Sequence, residues 1–256
     1  VSAGSPPLEP WETDEWQWLY EHRQVATEED WFSCPNPGAI LDYVNQHDAA
    51  SPRKFFLAGA ACVRRIWNLL ERPESRAAVE AAEQFADGYI TREQLRAISF
   101  AAAVYDQWPA NDPRSGAALA AGRLRHDIRQ NHGNAEETMY VLHDIPNVVA
   151  LTAGAEGSDE RAVARITEMR AIADIYRCVM GNPFRSIPFS HEWRTDTALT
   201  LARTMYEARD FGAMPILADA IQDAGCDQPA ILDHCRDANQ VHVRGCWVVD
   251  LVLGKE

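Results

Sequence analysis

Apolar residues recur along this chain at intervals of three and four, the spacing that puts them on one face of a helix. Trp16, Leu19 and Tyr20 begin the pattern in 11–25, with Thr13 and Asp14 placed to cap a helix. Thr27, followed by Glu28, Glu29 and Asp30, predicts a second helix start, because acids in a first turn favour the helix dipole. Pro35 and Pro37 break it, and Ile40, Leu41 and Val44 mark a short helix over 38–46. A stronger unit opens with Ser51 as the cap and Pro52 at the first helical position, and runs through Phe55, Phe56, Ala60, Val63, Ile66, Trp67 and Leu70. Pro73 starts the next helix, which carries Ala78, Val79, Ala82 and Phe85 inward and stops at Gly88. Thr91 and Gln94 make a capping-box pattern ahead of Leu95, Ile98, Val104 and Tyr105.

The second half keeps the same period. Asp112-Pro113 opens an alanine-rich helix through Leu119, Leu124 and Ile128, and 131–134 has turn chemistry. Met139, Leu142 and Ile145 predict a helix that Pro146 kinks or ends. A loop over 152–158 precedes a long helix over 159–180, stopped by Gly181-Asn182-Pro183. Beyond a Pro- and aromatic-containing connector at 184–194, helices are expected over 196–209, 213–224, 228–236 and 243–253. Only 247–253 is β-branched enough to read as either helix or strand. The expected fold is all-α, an irregular multi-helix bundle or stack of helical hairpins. We read 1–26 as an acidic, tryptophan-rich leader helix and 27–256 as one all-α domain, with a sub-boundary placed at 152–158.

Charge changes this picture at one place. The 256 residues carry a formal charge of −14, which argues against a nucleic-acid partner. The first fifty residues hold ten acids against the single base Arg23, a formal −9 of that total. They also hold Trp11, Trp16, Trp18 and Trp31. Aromatic anchors among carboxylates suit a segment that docks on a protein with a basic surface, so these four tryptophans are the candidate partner-binding residues. The competing reading folds the leader back so that its tryptophans complete the core. No run is apolar for the roughly 20 residues a spanning helix needs, and 55–63 is closed by Arg64-Arg65. That pair could grip an acidic partner, although pairing with Glu71, Glu74 or Glu80 is the simpler expectation. Six scattered cysteines make no disulfide framework, and the chain reads as cytoplasmic with reduced thiols.

Candidate chemistry is sparse. Cys226, His234, Cys235, His242 and Cys246 supply sulfur and nitrogen donors that a structural zinc could use, but they lack a paired C-x-x-C knuckle, and adjacent His234 and Cys235 diverge on a helix. The alternative is that the cysteines are small buried hydrophobes and the histidines bond to helix ends. His126, His132, Glu136, Glu137 and His143 form a second polar group, without the Glu-x-x-His spacing of a di-iron bundle. Cys62 lies in an apolar helix and reads as core rather than nucleophile. There is no phosphate-binding glycine loop, nucleophile elbow, H-E-x-x-H or dinucleotide fingerprint.

Several strings are more specific than these patterns. Gly181-Asn182-Pro183-Phe184-Arg185, Pro215-Ile216-Leu217-Ala218-Asp219-Ala220, His234-Cys235-Arg236 and 242–250 (His-Val-Arg-Gly-Cys-Trp-Val-Val-Asp) stand in the C-terminal half. With 61–67 and 85–88, they resemble an uncharacterised family of all-helical proteins abundant in planctomycete bacteria. The resemblance covers most of 28–256 and implies a helical fold and a bacterial source, but no activity or cofactor. Val63 departs from it, since the family usually shows a second cysteine there, and the leader up to Val25 lies outside it. The expected function is therefore a non-enzymatic helical interaction or scaffold module, such as a subunit of a bacterial assembly, with no cofactor required. The alternative is a metal-binding protein or metal-dependent enzyme that uses the C-terminal Cys/His group.

Overall fold

A computed structural model describes residues 24–102, 109, 111–124 and 136–255, with 136–143 described by backbone alone. Among the described residues there are twelve α-helices, two short 3-10 turns and no strand, an all-α fold. The helices are α1 (Glu28–Ser33), α2 (Pro37–Gln46), α3 (Pro52–Arg64), α4 (Pro73–Ala86), α5 (Arg92–Ala102) and α6 (Pro113–Arg123). They continue with α7 (Glu136–Ala153), α8 (Asp159–Met180), α9 (Asp196–Ala208), α10 (Met214–Asp223), α11 (Pro229–Arg236) and α12 (Trp247–Leu253). No described helix is long and apolar enough to cross a membrane.

The caps explain most of these boundaries. Thr27 and Asp30 form a full capping box on α1, and Asn36, Asp112, Ser158 and Thr195 each accept a backbone N–H at their own helix start, whereas Ser51, the expected cap of α3, stands at the N-cap position without a side-chain bond to the helix. Proline occupies the first turn of six helices, where its missing N–H costs nothing. Three boundaries differ from the expected ones. The helix from Pro52 ends at Arg64 and continues only as a 3-10 turn over Trp67–Leu69. The helix expected from residue 243 begins at Trp247, because Gly245 stands at φ 91°. Pro146 does not end α7, which runs on to Ala153 with Ile145 and Val148 buried on either side of it. Burial of that face on both sides of the proline outweighs the one hydrogen bond that it removes.

Two large hydrophobic clusters, each the core of one lobe, form most of the interior, beside a small third pair, Ile166 and Met169, on α8. The first is built from α1 to α8 and includes Trp31, Ile40, Leu41, Leu95, Ile145 and Tyr176. The second is built from α9 to α12 and takes Cys178 from the end of α8, while Val243 touches both. Of the 152–158 segment, Thr152 and Ala153 end α7 and only 154–158 form the turn to α8; the two helices pack against each other as a hairpin. Trp31 is fully buried with its ring 6.1 Å from that of Tyr43. Trp11, Trp16, Trp18, His126 and His132 lie outside the described residues.

Candidate functional site

Four side chains from three parts of the chain meet at the base of the second lobe. Cys178 is in the last turn of α8, His234 in the last turn of α11, His242 in the following loop, and Cys246 at the N-cap of α12. Their ligand atoms all lie within 4.8 Å of one another, with both sulfurs buried and both imidazoles half-buried. His234 Nε2 is 3.2 Å from Cys246 Sγ, and His242 Nδ1 is 3.8 Å from the same sulfur. Around a tetrahedral zinc with sulfur at about 2.3 Å and nitrogen at about 2.0–2.1 Å, a sulfur and a nitrogen donor stand about 3.6 Å apart. The two observed separations straddle that value, so small shifts would admit the ion.

Glycine makes the approach possible. Gly181, at φ 74°, ends α8 three residues after Cys178, and a Cβ there would stand 3.2 Å from Trp247 Cγ. Gly245, at φ 91°, turns the chain so that Cys246 faces inward, and a Cβ there would stand 2.8 Å from Leu57 Cδ1. The Trp247 ring lies 5.1 Å from that of His234, and the two imidazoles meet edge to face at 4.8 Å. Burial pushes both thiols up, and Cys178 stays high; at Cys246 the burial is outweighed by the neighbouring Cys178 thiol, His234 and His242, which draw it well below the ordinary thiol range.

The fold assembles a different set of donors from the one that spacing along the chain suggests. Cys226 and Cys235 do not join the group: both are buried in the second core, and burial raises both thiols. Cys178, which sequence spacing did not select, takes their place. Its only local signal is a cysteine three residues before a helix-stopping glycine. Cys62 is fully buried, with its thiol pushed up by burial, as expected of a core residue. Of the Glu136, Glu137 and His143 group only the backbone, within α7, is described.

A second cluster lies where the lobes meet. Asp87, at the C-cap of α4 with a fully buried side chain, accepts from Tyr206 Oη at 2.7 Å, Arg244 Nη2 at 2.6 Å and Lys255 Nζ at 2.8 Å. Burial raises its carboxyl, but the bonds from Lys255, Arg244 and Tyr206 outweigh that and hold it down at about 2. Arg53 reaches both Asp87 and Asp250, and lies 2.6 Å from the latter. Glu83, also buried, takes two bonds from Arg64 at 2.6 and 3.0 Å and a second fork from Arg209. Arg65 bonds Glu168 on α8 at 2.5 and 2.8 Å. Arg64 and Arg65 are thus paired as expected of them, but with Glu83 and Glu168 rather than with Glu71, Glu74 or Glu80.

No protein-family model, curated protein or solved structure matches this chain.

Proposed function

We propose that this is a metal-stapled helical scaffold, in which Cys178, His234, His242 and Cys246 hold a structural zinc ion that ties α8, α11 and α12 together. The convergence of four sulfur and nitrogen donors within 4.8 Å carries this reading. Zinc suits the set, because two thiolates and two neutral imidazoles complete a tetrahedron and neutralise the ion's charge. Four protein ligands leave no open position for substrate, so the site is structural and the protein's role is to present its helical surface to a protein partner. The ligands come from positions 178 to 246, so the ion would close a long loop and fix the second lobe on the end of α8.

The test is metal analysis of the full chain, expressed without an affinity tag and with zinc supplied. About one zinc per chain is expected, falling below about a tenth in Cys178→Ser and Cys246→Ser but unchanged in Cys226→Ser and Cys235→Ser. Chelation is expected to lower the melting temperature by roughly 10 °C. Less than about a tenth of an equivalent in the parent protein, or equal zinc in all four variants, would overturn the reading. A Cys178–Cys246 disulfide found in place of metal would overturn it as well.

A further inference from the structure

The interface between the lobes holds a cleft of about 240 Å³ whose polar lining is mostly arginine, although the chain as a whole is strongly acidic. Arg64, Arg65, Arg209 and Arg244 line it, with Glu83 as the one lining carboxylate. Arg64 and Arg209 fork onto Glu83 from two sides, and Arg244 Nη1 stands 4.0 Å from it on a third. The two oxygens of Glu83 are taken up by the forks of Arg64 and Arg209, while Arg244, bound through Nη2 to Asp87 at 2.6 Å, faces Glu83 without a hydrogen bond. Arg244 keeps a donor in reserve: its Nε is buried with no acceptor. A buried donor of this kind calls for a partner.

The backbone at the cleft carries a second mark. Arg209 closes α9 at φ 55°, ψ 30°, the left-handed region that favours glycine. Only one other described non-glycine residue, Asp48, has a positive φ. At a helix end glycine would hold this conformation without strain, whereas arginine here directs a guanidinium onto Glu83. Strained backbone in the service of a charged side chain is a common mark of a ligand site, and clefts between lobes are common places for one.

We propose that this cleft binds a phosphoryl group, borne by free phosphate or by a small phosphate monoester, held by Arg64, Arg209 and Arg244. A phosphoryl group presents three oxygens in different directions, which fits guanidinium groups that converge from three sides better than a second planar carboxylate would. The ligand enters beside Glu83, takes the orphaned Arg244 Nε, and shares the forks of Arg64 and Arg209. The arginines come from α3, the end of α9 and the loop before α12, so occupancy also ties the two lobes together. None of the three arginines is a metal ligand, so the site is separate from the zinc staple, although His242 borders both.

The experiment is calorimetric titration of the full, zinc-loaded chain with inorganic phosphate, glycerol 2-phosphate and acetate, at ionic strength matched with chloride. Saturable binding of a phosphate-bearing probe and little response to acetate are expected. Glycerol 2-phosphate binding at least as tightly as phosphate assigns a monoester; phosphate alone assigns the free ion. Arg209→Gln is expected to weaken binding by about tenfold or more, whereas Glu83→Gln, which removes the competing charge, tightens it by about threefold. The opposite signs separate a ligand site from general damage to the fold, and Glu83→Gln remains informative if Arg209→Gln does not fold. No saturable binding in either the parent or Glu83→Gln up to ~20 mM, or acetate binding as tightly as phosphate, would overturn the assignment. Zinc content measured on the same samples keeps this outcome distinct from loss of the metal site.

Discussion

Single residues decide whether the second lobe can close. Gly245 is the sharpest case, because its φ of 91° and the 2.8 Å approach of Leu57 each exclude a side chain. Gly245→Ala is expected to cost about 2–4 kcal/mol, since strain and overpacking act together. Chemical denaturation would measure this loss. Zinc retention should fall with it, because the same turn delivers Cys246. Gly225, also at positive φ (93°), has nothing near its missing Cβ. Gly225→Ala should therefore show backbone strain alone, about 1 kcal/mol. The contrast between the two separates conformation from close approach.

Among the elements, α8 does most to join the molecule. Its 22 residues pack against α7, present Tyr176 to the first core and Cys178 to the second, and bring Glu168 to Arg65. Arg177 on the same helix serves a third element. The last turn of α1 has no basic residue of its own, and the Arg177 guanidinium donates to the carbonyl oxygens of Trp31, at 2.6 Å, and Cys34. A charged donor there satisfies carbonyls that a helix end leaves open and favours its negative pole. Arg177→Ala should destabilise the chain by about 2–3 kcal/mol and expose α1 to hydrogen exchange before the rest. Arg177→Lys should recover only part of that, because one ammonium cannot reproduce the fork.

At the scale of the whole molecule, buried charge links the lobes and predicts an acid response. Asp87, held down at about 2 against an ordinary 3.8, stabilises the fold fully above about pH 4, and this is lost as pH falls through 2. The shift corresponds to about 2 kcal/mol. Glu83, lowered despite burial by Arg209 and Arg64, works in the same sense. Asp250, raised by burial against the pull of Arg53, works in the opposite one. Urea unfolding between pH 6 and pH 2 should therefore show a steeper acid loss in the parent than in Asp87→Asn. Any release of metal is common to both proteins, so the difference in slope isolates Asp87. Equal slopes would remove the carboxylate from this role.

The helices and most of their boundaries were readable along the chain, because period, caps and prolines act over a few residues. Thr27 and Asp112 cap helices where the chain suggests it, whereas Ser51, which has the same local signal, makes no side-chain bond to its helix, and Asn36, Ser158 and Thr195 carried no signal that was read as a cap. Cys62 was legible as core for the same reason, from the apolar face around it. The candidate centre was legible only in part: His234, His242 and Cys246 were flagged by their proximity in sequence, whereas Cys178 joins them from 56 residues before His234. Nor does a pattern of charges say that Arg64 meets Glu83, or that Asp87 meets Lys255 across 168 positions. Such meetings depend on how α3, α4, α8 and α12 pack, and ridges and grooves choose among many arrangements that the same periodicity allows. Short-range order is written in neighbouring residues, while the Cys/His cluster and the arginine cleft exist only where distant segments pack together.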